Sequence, residues 1–227
     1  MRIFQKKHMR FCCVYKYYDS LLICKMLIIH EKKIIFLHNP KVFGKELTKW
    51  LRKNSDIPQL LYKTPTKYCP DLGHLNLRNY DNYVSKTACK NYDHIVFIRD
   101  PIQRFDSGFH EIFKHDVGYK YMQRNNLYTK NSFIDYLYRN PEQLYHPHLI
   151  WIIPQHVYIY DKNGKKVSYV FKYENLYHNL KTIASWLKIH DFPYEILQEN
   201  KKKEYNFNEE QIQKLQWIYK DDYYYLF

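Results

Sequence analysis

Short apolar runs alternate with amphipathic stretches along this chain. The runs at 26–29 and 34–37 are rich in β-branched residues and are separated by four polar residues, which is consistent with a hairpin or with two successive strands. The second run is apolar at every position, as is typical of a buried central strand. Beyond it, apolar residues recur with the spacing of one helical face: Phe43, Leu47, Trp50 and Leu51. The pattern predicts a strand, a tight loop and a helix.

A second unit of the same kind follows at 94–113. The apolar run 94–98 leads directly into Arg99, Asp100 and Pro101. Asp100 is suited to cap a helix, and proline is favoured at the first helical position. The apolar face of that helix comprises Phe105, Phe109, Ile112 and Phe113. Two strand–loop–helix units in succession indicate an α/β fold.

The rest of the chain is less regular. Helices are predicted at 132–138, 174–187 and 209–219, and strands at 157–160 and 167–171 flank an Asn-Gly turn, which predicts a hairpin. Prolines and Gly73 break up 54–92, so we expect mostly loop there, and a loop of that length is usually functional. The first twenty residues show no clear period. We therefore expect an unassigned N-terminal segment at 1–25 and one domain at 26–227.

Composition narrows the class of protein. A chain of 227 residues, 45% of them apolar, can form one large globular domain without disulfide bonds. The five cysteines form no C-x-x-C pair and no Cys/His cluster, so neither a metal site nor a redox motif is indicated. The apolar run 21–29 is short, contains Lys25 and lacks a cleavage site. We expect a soluble protein without a signal peptide or transmembrane anchor.

The formal net charge of +13 predicts attraction to polyanions such as nucleic acids, nucleotides and acidic glycans. A basic nucleic-acid-binding protein is therefore one alternative. The charge is spread along the chain, however, and no recognised nucleic-acid motif is present. We expect no specific nucleic-acid partner.

The two predicted loops carry residues suited to anions. A loop that connects a strand to the N-terminus of a helix directs backbone N–H groups at phosphate or sulfate. Lys41 and Gly44 lie in the first such loop. Arg99, Arg104 and Ser107 surround the second strand end, where a guanidinium can bind phosphate through two hydrogen bonds. The alternatives are a lysine on a solvated turn, and arginines that merely pair with Asp100 or Asp106.

Residues 34–44 and 97–109 resemble the phosphate-binding motifs of sulfotransferases that use 3′-phosphoadenosine 5′-phosphosulfate (PAPS), in particular the carbohydrate branch that modifies glycosaminoglycans. Weaker similarity continues at 154–155, 172–176 and 218–223, so the resemblance covers about 33–225. It implies a three-layer fold like that of P-loop NTPases, with a central, mainly parallel sheet flanked by helices. The implied activity is sulfuryl transfer from PAPS to an acceptor hydroxyl, with a glycan as the favoured acceptor. The implied reaction requires no metal.

The resemblance also implies roles for individual residues. Lys41 would contact the sulfate and stabilise charge on the leaving phosphate. Arg99 and Ser107 would hold the 3′-phosphate, while His74 would be the catalytic base. The alternative bases are His146, His148 and Glu111, and the residues that would line the 5′-phosphosulfate are Phe43, Gly44, Lys45 and Glu46.

The first loop departs from the family pattern. Val42, Lys45 and Glu46 stand where the family usually has threonine or serine, so hydroxyl ligands are missing and Thr48 is a displaced substitute. A catalytically degenerate fold that only binds nucleotide or polyanion is therefore another alternative. A P-loop kinase is disfavoured, because Asn39 and Glu46 occupy positions that need glycine and a hydroxyl residue. Family members that act on glycans usually sit in the Golgi behind a membrane anchor, and the sequence specifies neither the acceptor nor an oligomeric state.

Overall fold

A computed structural model describes residues 27–29, 32–53, 74, 76–77, 91–161, 163–167, 169–192 and 206–227. Four strands form one sheet in the order β1-β2-β3-β4. Strand β1 is antiparallel to β2, whereas β2, β3 and β4 are parallel. The strands are β1 (Leu27–Ile29), β2 (Ile34–Leu37), β3 (Asp93–Ile98) and β4 (Tyr169–Lys172).

Seven α-helices accompany the sheet in the described ranges. They are α1 (Gly44–Lys53), α2 (Pro101–Ile112), α3 (Asp116–Arg124), α4 (Lys130–Arg139), α5 (Leu176–Leu187), α6 (Glu209–Ile218) and α7 (Lys220–Leu226). Short 3₁₀ turns lie at Pro141–Tyr145, Pro147–Leu149, Gln155–Tyr158 and Tyr173–Asn175. None of these helices is long and apolar enough to cross a membrane.

Alternate residues of the two central strands serve two separate cores. Ile35 and Val96, both fully buried, face a core that also holds the apolar residues of α2, α3, α4 and α6. Phe36 and Phe97 face the opposite core, which holds the apolar residues of α1 and α5. Because successive side chains of a strand point to opposite faces, an all-apolar strand needs helices on both sides. The fold is therefore the expected three-layer α/β sandwich with a mainly parallel sheet.

Several predicted elements are confirmed. Strands β1 and β2, which correspond to the apolar runs at 26–29 and 34–37, pair antiparallel, with Ile28 opposite Ile35. Asp100 caps α2 by accepting a hydrogen bond from the Gln103 N–H at 2.9 Å, and Pro101 is the first helical residue. The helix predicted at 209–219 corresponds to α6, and a further helix that was not predicted, α7, follows directly after Tyr219. Expectations for the N-terminal segment and for most of 54–90 concern residues outside the described ranges.

The predicted hairpin around the Asn-Gly turn is wrong. Residues 155–158 form a 3₁₀ turn rather than a strand, and a single bridge between Tyr160 and Lys166 spans the turn. Strand β4 instead pairs in parallel with β3, where Phe171 lies opposite Phe97. Val157 and Tyr158 are buried in the core, so their apolar character reflects packing of the turn rather than a strand.

Candidate functional site

The two predicted anion loops lie side by side. Strands β2 and β3 are adjacent and parallel, with Leu37 opposite Val96, so the chain leaves both strands at the same edge of the sheet. The loop after β2, residues 38–43, leads into α1, and Arg99 and Asp100 lead into α2. Ligands of open α/β sheets bind at this carboxyl edge.

The loop 38–43 has an unusual backbone. Lys41 and Phe43 both adopt left-handed conformations, with φ of 64° and 62°. Residues other than glycine rarely occupy this region, and such conformations cluster at ligand-binding sites. The Phe43 side chain is buried, with its ring centroid 6.1 Å from Phe97 and 6.4 Å from Tyr173. Packing of Phe43 thus holds the loop against the carboxyl ends of β3 and β4.

His38 explains why Gly44 begins α1. A Cβ on residue 44 would overlap the imidazole ring of His38, so no larger residue fits without displacing that ring. His38 is buried, and its desolvation, followed by electrostatic interactions with His74, Lys45 and Lys41, holds its pKa well below the usual value. His38 is therefore neutral at physiological pH. The sequence interpretation did not single it out, although it directly follows a buried strand.

His74 is the predicted base, and it lies at this loop. Its ring centroid is 4.6 Å from that of His38. Its backbone carbonyl accepts a hydrogen bond from the Tyr158 hydroxyl at 3.2 Å. The structure therefore brings His74 together with the Lys41 loop, although 33 positions separate the two residues in the chain.

Lys41 is held by a carboxylate from α2. Its ammonium donates to Glu111 at 2.8 Å, and Lys114 and His115 contact the same carboxylate at 3.2 and 3.4 Å. Burial alone would raise the pKa of Glu111, but the hydrogen bonds from these three side chains lower it to about 2. Lys45 is exposed and lies 3.8 Å away. A carboxylate of such low basicity is a poor proton acceptor, which disfavours Glu111 as the catalytic base.

Arg99 and Ser107 lie on the neighbouring unit. The Arg99 Nε donates to Gln103 at 3.3 Å, and its guanidinium lies 4.6 Å from the centroid of the Tyr173 ring. Ser107 is half-buried and one turn further along α2 than Gln103, on the same helical face. The two predicted 3′-phosphate residues thus follow the carboxyl end of β3. This strand lies next to β2, which leads into the Lys41 loop.

Arg104 has a different setting from Arg99. It is fully buried, and its Nε donates to the backbone carbonyl of Pro40 at 3.0 Å. Desolvation lowers its pKa from the usual value. Asp106 pairs with Lys130 instead. The simple pairing of Arg104 with Asp106 is therefore wrong, because the guanidinium instead supports the residue before Lys41.

A buried polar bridge joins the two loops. The Asn39 side-chain N–H groups donate to the Phe97 carbonyl and to Gln155 Oε1, both at 3.0 Å. The same Oε1 accepts from the Arg99 N–H at 3.0 Å, and Gln155 Nε2 donates to the Arg99 carbonyl at 2.6 Å. Sequence reasoning noted Pro154-Gln155 only as weak similarity and gave it no role.

The remaining candidate bases lie elsewhere. His146 and His148 are on the 3₁₀ turns after α4, with ring centroids 4.8 Å apart. His146 packs on Tyr121 at 4.5 Å, and burial lowers the pKa of His146. The structure therefore groups this pair with α3 and α4, whereas His74 lies at the loop.

Buried polar atoms without a protein partner surround the loop. Within the described residues these include Asn39 Oδ1, Thr48 Oγ1 and both terminal nitrogens of Arg104. Buried polar groups normally have a partner, so such atoms mark places for a ligand or ordered water. The possible donors among them, Thr48 Oγ1 and the Arg104 nitrogens, fit a polar, anionic ligand together with Lys41 and the α1 N-terminus. In the same ranges, no group of three or more His, Cys, Asp or Glu side chains is arranged to hold a metal ion.

Comparison with known proteins agrees with this geometry. The model of the sulfotransferase family matches residues 25–227. No curated protein and no solved structure matches the chain significantly. The matched region includes the whole described sheet, both anion loops and all seven described helices. The chain therefore belongs to the sulfotransferase family.

Proposed function

We propose that the protein transfers a sulfuryl group from PAPS to an acceptor hydroxyl of a carbohydrate. The observation that carries this proposal is the position of Lys41, which lies in a left-handed loop at the strand edge that also presents Arg99. Membership in the family supports sulfuryl transfer in general. PAPS as the donor, a carbohydrate as the acceptor and the roles of individual residues are proposals.

The two loops would bind the two ends of the donor. Lys41 and the N–H groups at 43–46, which open α1, would hold the 5′-phosphosulfate. Arg99, with Ser107 on the next helix, would bind the 3′-phosphate, because a guanidinium donates two parallel hydrogen bonds to phosphate oxygens. Lys45 adds positive charge from an exposed position. Glu46 is half-buried in the first turn of α1, so only its backbone N–H is assigned to the anion.

Lys41 would act through charge. When bound, PAPS supplies the sulfuryl group and a phosphate that gains negative charge as it leaves. An ammonium at that position stabilises the charge more in the transition state than in the ground state. Glu111 accepts a hydrogen bond from Lys41 at 2.8 Å and so orients its side chain, and an anionic donor competes with Glu111 for the same ammonium.

His74 would accept the proton of the acceptor hydroxyl. A neutral imidazole can accept a proton at physiological pH. His38, 4.6 Å away between ring centroids, has a lowered pKa and stays neutral, so it does not oppose the positive charge that His74 gains. The pair thus places one proton acceptor next to the anion loop.

A matched set of variants tests the donor site. We expect the protein to bind 3′-phosphoadenosine 5′-phosphate (PAP) more tightly than AMP in calorimetry, and Arg99→Ala to remove roughly tenfold or more of this preference. Lys41→Ala should lower turnover of labelled PAPS by roughly a hundredfold or more. Lys49→Ala, at an exposed position on α1, the helix that follows the Lys41 loop, is the control for loss of charge alone. Equal affinity for PAP and AMP in the wild type would refute the proposed donor.

A catalytically inactive nucleotide-binding protein is the second candidate. The ion pair between Lys41 and Glu111 favours it, because the donor must displace a well-bound carboxylate. The missing hydroxyls at Val42 and Glu46 point the same way. This candidate predicts selective PAP binding but no transfer from PAPS to any hydroxyl in a screen of neutral and acidic glycans. Transfer to one of those glycans would exclude it and would identify the acceptor.

A further inference from the structure

Gln155 makes hydrogen bonds to both anion loops through one side-chain amide. Its Oε1 accepts from Asn39 in the first loop and from the Arg99 N–H in the second, and its Nε2 donates to the Arg99 carbonyl. Gln155 is fully buried. The Gln155 side chain therefore links Asn39, two residues before Lys41, to Arg99, the residue assigned to the 3′-phosphate.

The bridge has one consistent arrangement. Gln155 Oε1 faces two donors and Nε2 faces a carbonyl, so reversing the amide would set donor against donor and acceptor against acceptor. The second Asn39 N–H is used by the Phe97 carbonyl of β3. In a buried environment, breaking any of these bonds leaves a polar group without water to replace its partner. The two loops therefore resist independent movement.

The backbone of Gln155 is fixed from the C-terminal end of the chain. Its N–H donates to Asp222 Oδ2 at 2.8 Å. Asp222, on α7, is fully buried and also accepts from the backbone N–H and the Nδ1 of His156. The bridging amide is thus supported by a second buried set of hydrogen bonds, which fits a requirement for exact placement.

We propose that Gln155 is a positioning residue that couples the two loops, so that a phosphate bound at Arg99 strengthens binding of the anion at Lys41, and the reverse. This inference rests on the proposed donor. Coupling of this kind is a free energy shared between two subsites, and it is reciprocal. Gln155 itself touches neither phosphate in this scheme and acts through Asn39 and the Arg99 backbone.

Amide hydrogen exchange without nucleotide tests the structural half of the inference. Gln155→Leu should speed exchange roughly tenfold in both 36–44 and 97–104. Gln155→Glu keeps the hydrogen-bond acceptor but loses the donor to the Arg99 carbonyl, so it should speed exchange more in 97–104 than in 36–44. This variant replaces Gln155→Leu in the test if the leucine variant does not fold. The control is Gln143→Leu, which removes a glutamine that accepts from the Tyr121 hydroxyl and donates to Glu142, neither of which belongs to the two loops.

Nucleotide affinity tests the coupling. PAP carries both phosphates, whereas AMP and adenosine 3′-phosphate carry one each, so their affinities together give the gain in affinity from having both phosphates on one ligand. This gain should fall roughly tenfold in the Gln155 variants and stay unchanged in Gln143→Leu. A purely structural role of Gln155 would lower the melting temperature of both Gln155 variants but leave this gain intact, which would overturn the inference. Unchanged exchange in both loops would overturn it as well. Wild type that binds none of the nucleotides would refute the proposed donor, whereas the exchange results would still decide whether Gln155 joins the loops.

Discussion

At the scale of single residues, charge pairing at Glu111 dominates the site. Its carboxylate is nearly buried and lies within 4.0 Å of four potentially cationic side chains, so it stays ionised far below neutral pH. An ionised Glu111 keeps a counter-ion on Lys41 whenever no anionic ligand is bound. The same low basicity disfavours Glu111, one of the alternative bases, as the catalytic base.

Glu111→Gln should lower stability in a pH-dependent way. The pKa of Glu111 falls from its usual 4.5 to about 2 on folding, so the carboxylate stabilises the folded state fully above pH 4.5 and progressively less as the pH falls towards 2. Urea unfolding at pH 7 should show a loss of about 1–2 kcal/mol, since surface exposure of Lys114 and His115 screens part of the interaction.

The same comparison near pH 3 should show a smaller difference between the variant and the wild type. Glu142→Gln, at an exposed position on the 3₁₀ turn, should show little difference at either pH. A Glu111→Gln effect that grows on acidification would contradict the assigned ion pair.

At the scale of elements, the start of α1 depends on contact between a glycine and a histidine. The loop must turn through left-handed conformations at Lys41 and Phe43 and then open the helix beside the buried His38 ring. A helix that starts so close to the strand end presents its first N–H groups at the edge of the sheet. The space that Gly44 leaves for His38 is what allows this close approach.

Gly44→Ala should destabilise the protein by about 1–3 kcal/mol, because the added methyl group overlaps the His38 ring. PAP affinity should fall as well, since the loop must move to make room. His38→Ala in the same chain removes the obstacle, so a double-mutant cycle measured by urea unfolding should show the double variant to be more stable than the sum of the single changes predicts. Strict additivity would mean that the two residues do not meet in this way.

At the scale of the whole molecule, the C-terminal helix is tied to the centre of the fold. Asp222 on α7 accepts three hydrogen bonds from Gln155 and His156, and Tyr219 donates its hydroxyl to the Ile152 carbonyl at 2.8 Å. Burial raises the pKa of Tyr219 far above its usual value, so this hydroxyl keeps its proton. The end of the chain thus supports the segment that carries the bridging amide.

Substitutions of the neighbouring Asp222 and Asp221 distinguish the structural role of the buried carboxylate from a general effect of surface charge. Asp222→Ala leaves three buried donors without an acceptor and should cost about 3 kcal/mol or more of unfolding free energy. Asp221→Ala, an exposed residue with the same charge on the same turn, should change it by at most about 0.5 kcal/mol. Denaturant unfolding of both variants is the measurement, and similar losses in the two would rule out the central role of Asp222.

Sequence pattern alone predicts the elements that depend on local interactions. The all-apolar runs of β2 and β3, the helical spacing after each, and the cap at Asp100 depend on neighbours within a few residues, so pattern and propensity suffice. The two anion loops follow, since a lysine or an arginine at a strand end needs only that local order. The strand predicted at 157–160 is wrong, because apolar residues at a buried turn and at a strand look alike in sequence, whereas the strand predicted at 167–171 corresponds to β4.

Only the tertiary structure decided which distant side chains meet. Lys41 and Glu111 are 70 positions apart, and Asn39 and Gln155 are 116 apart. No periodicity encodes such pairs, because they depend on how helices pack across a sheet and on which buried polar groups then need partners. His38 against Gly44, and Arg104 against Pro40, were decided in the same way, since each contact exists only once β2, α1 and α2 are packed together.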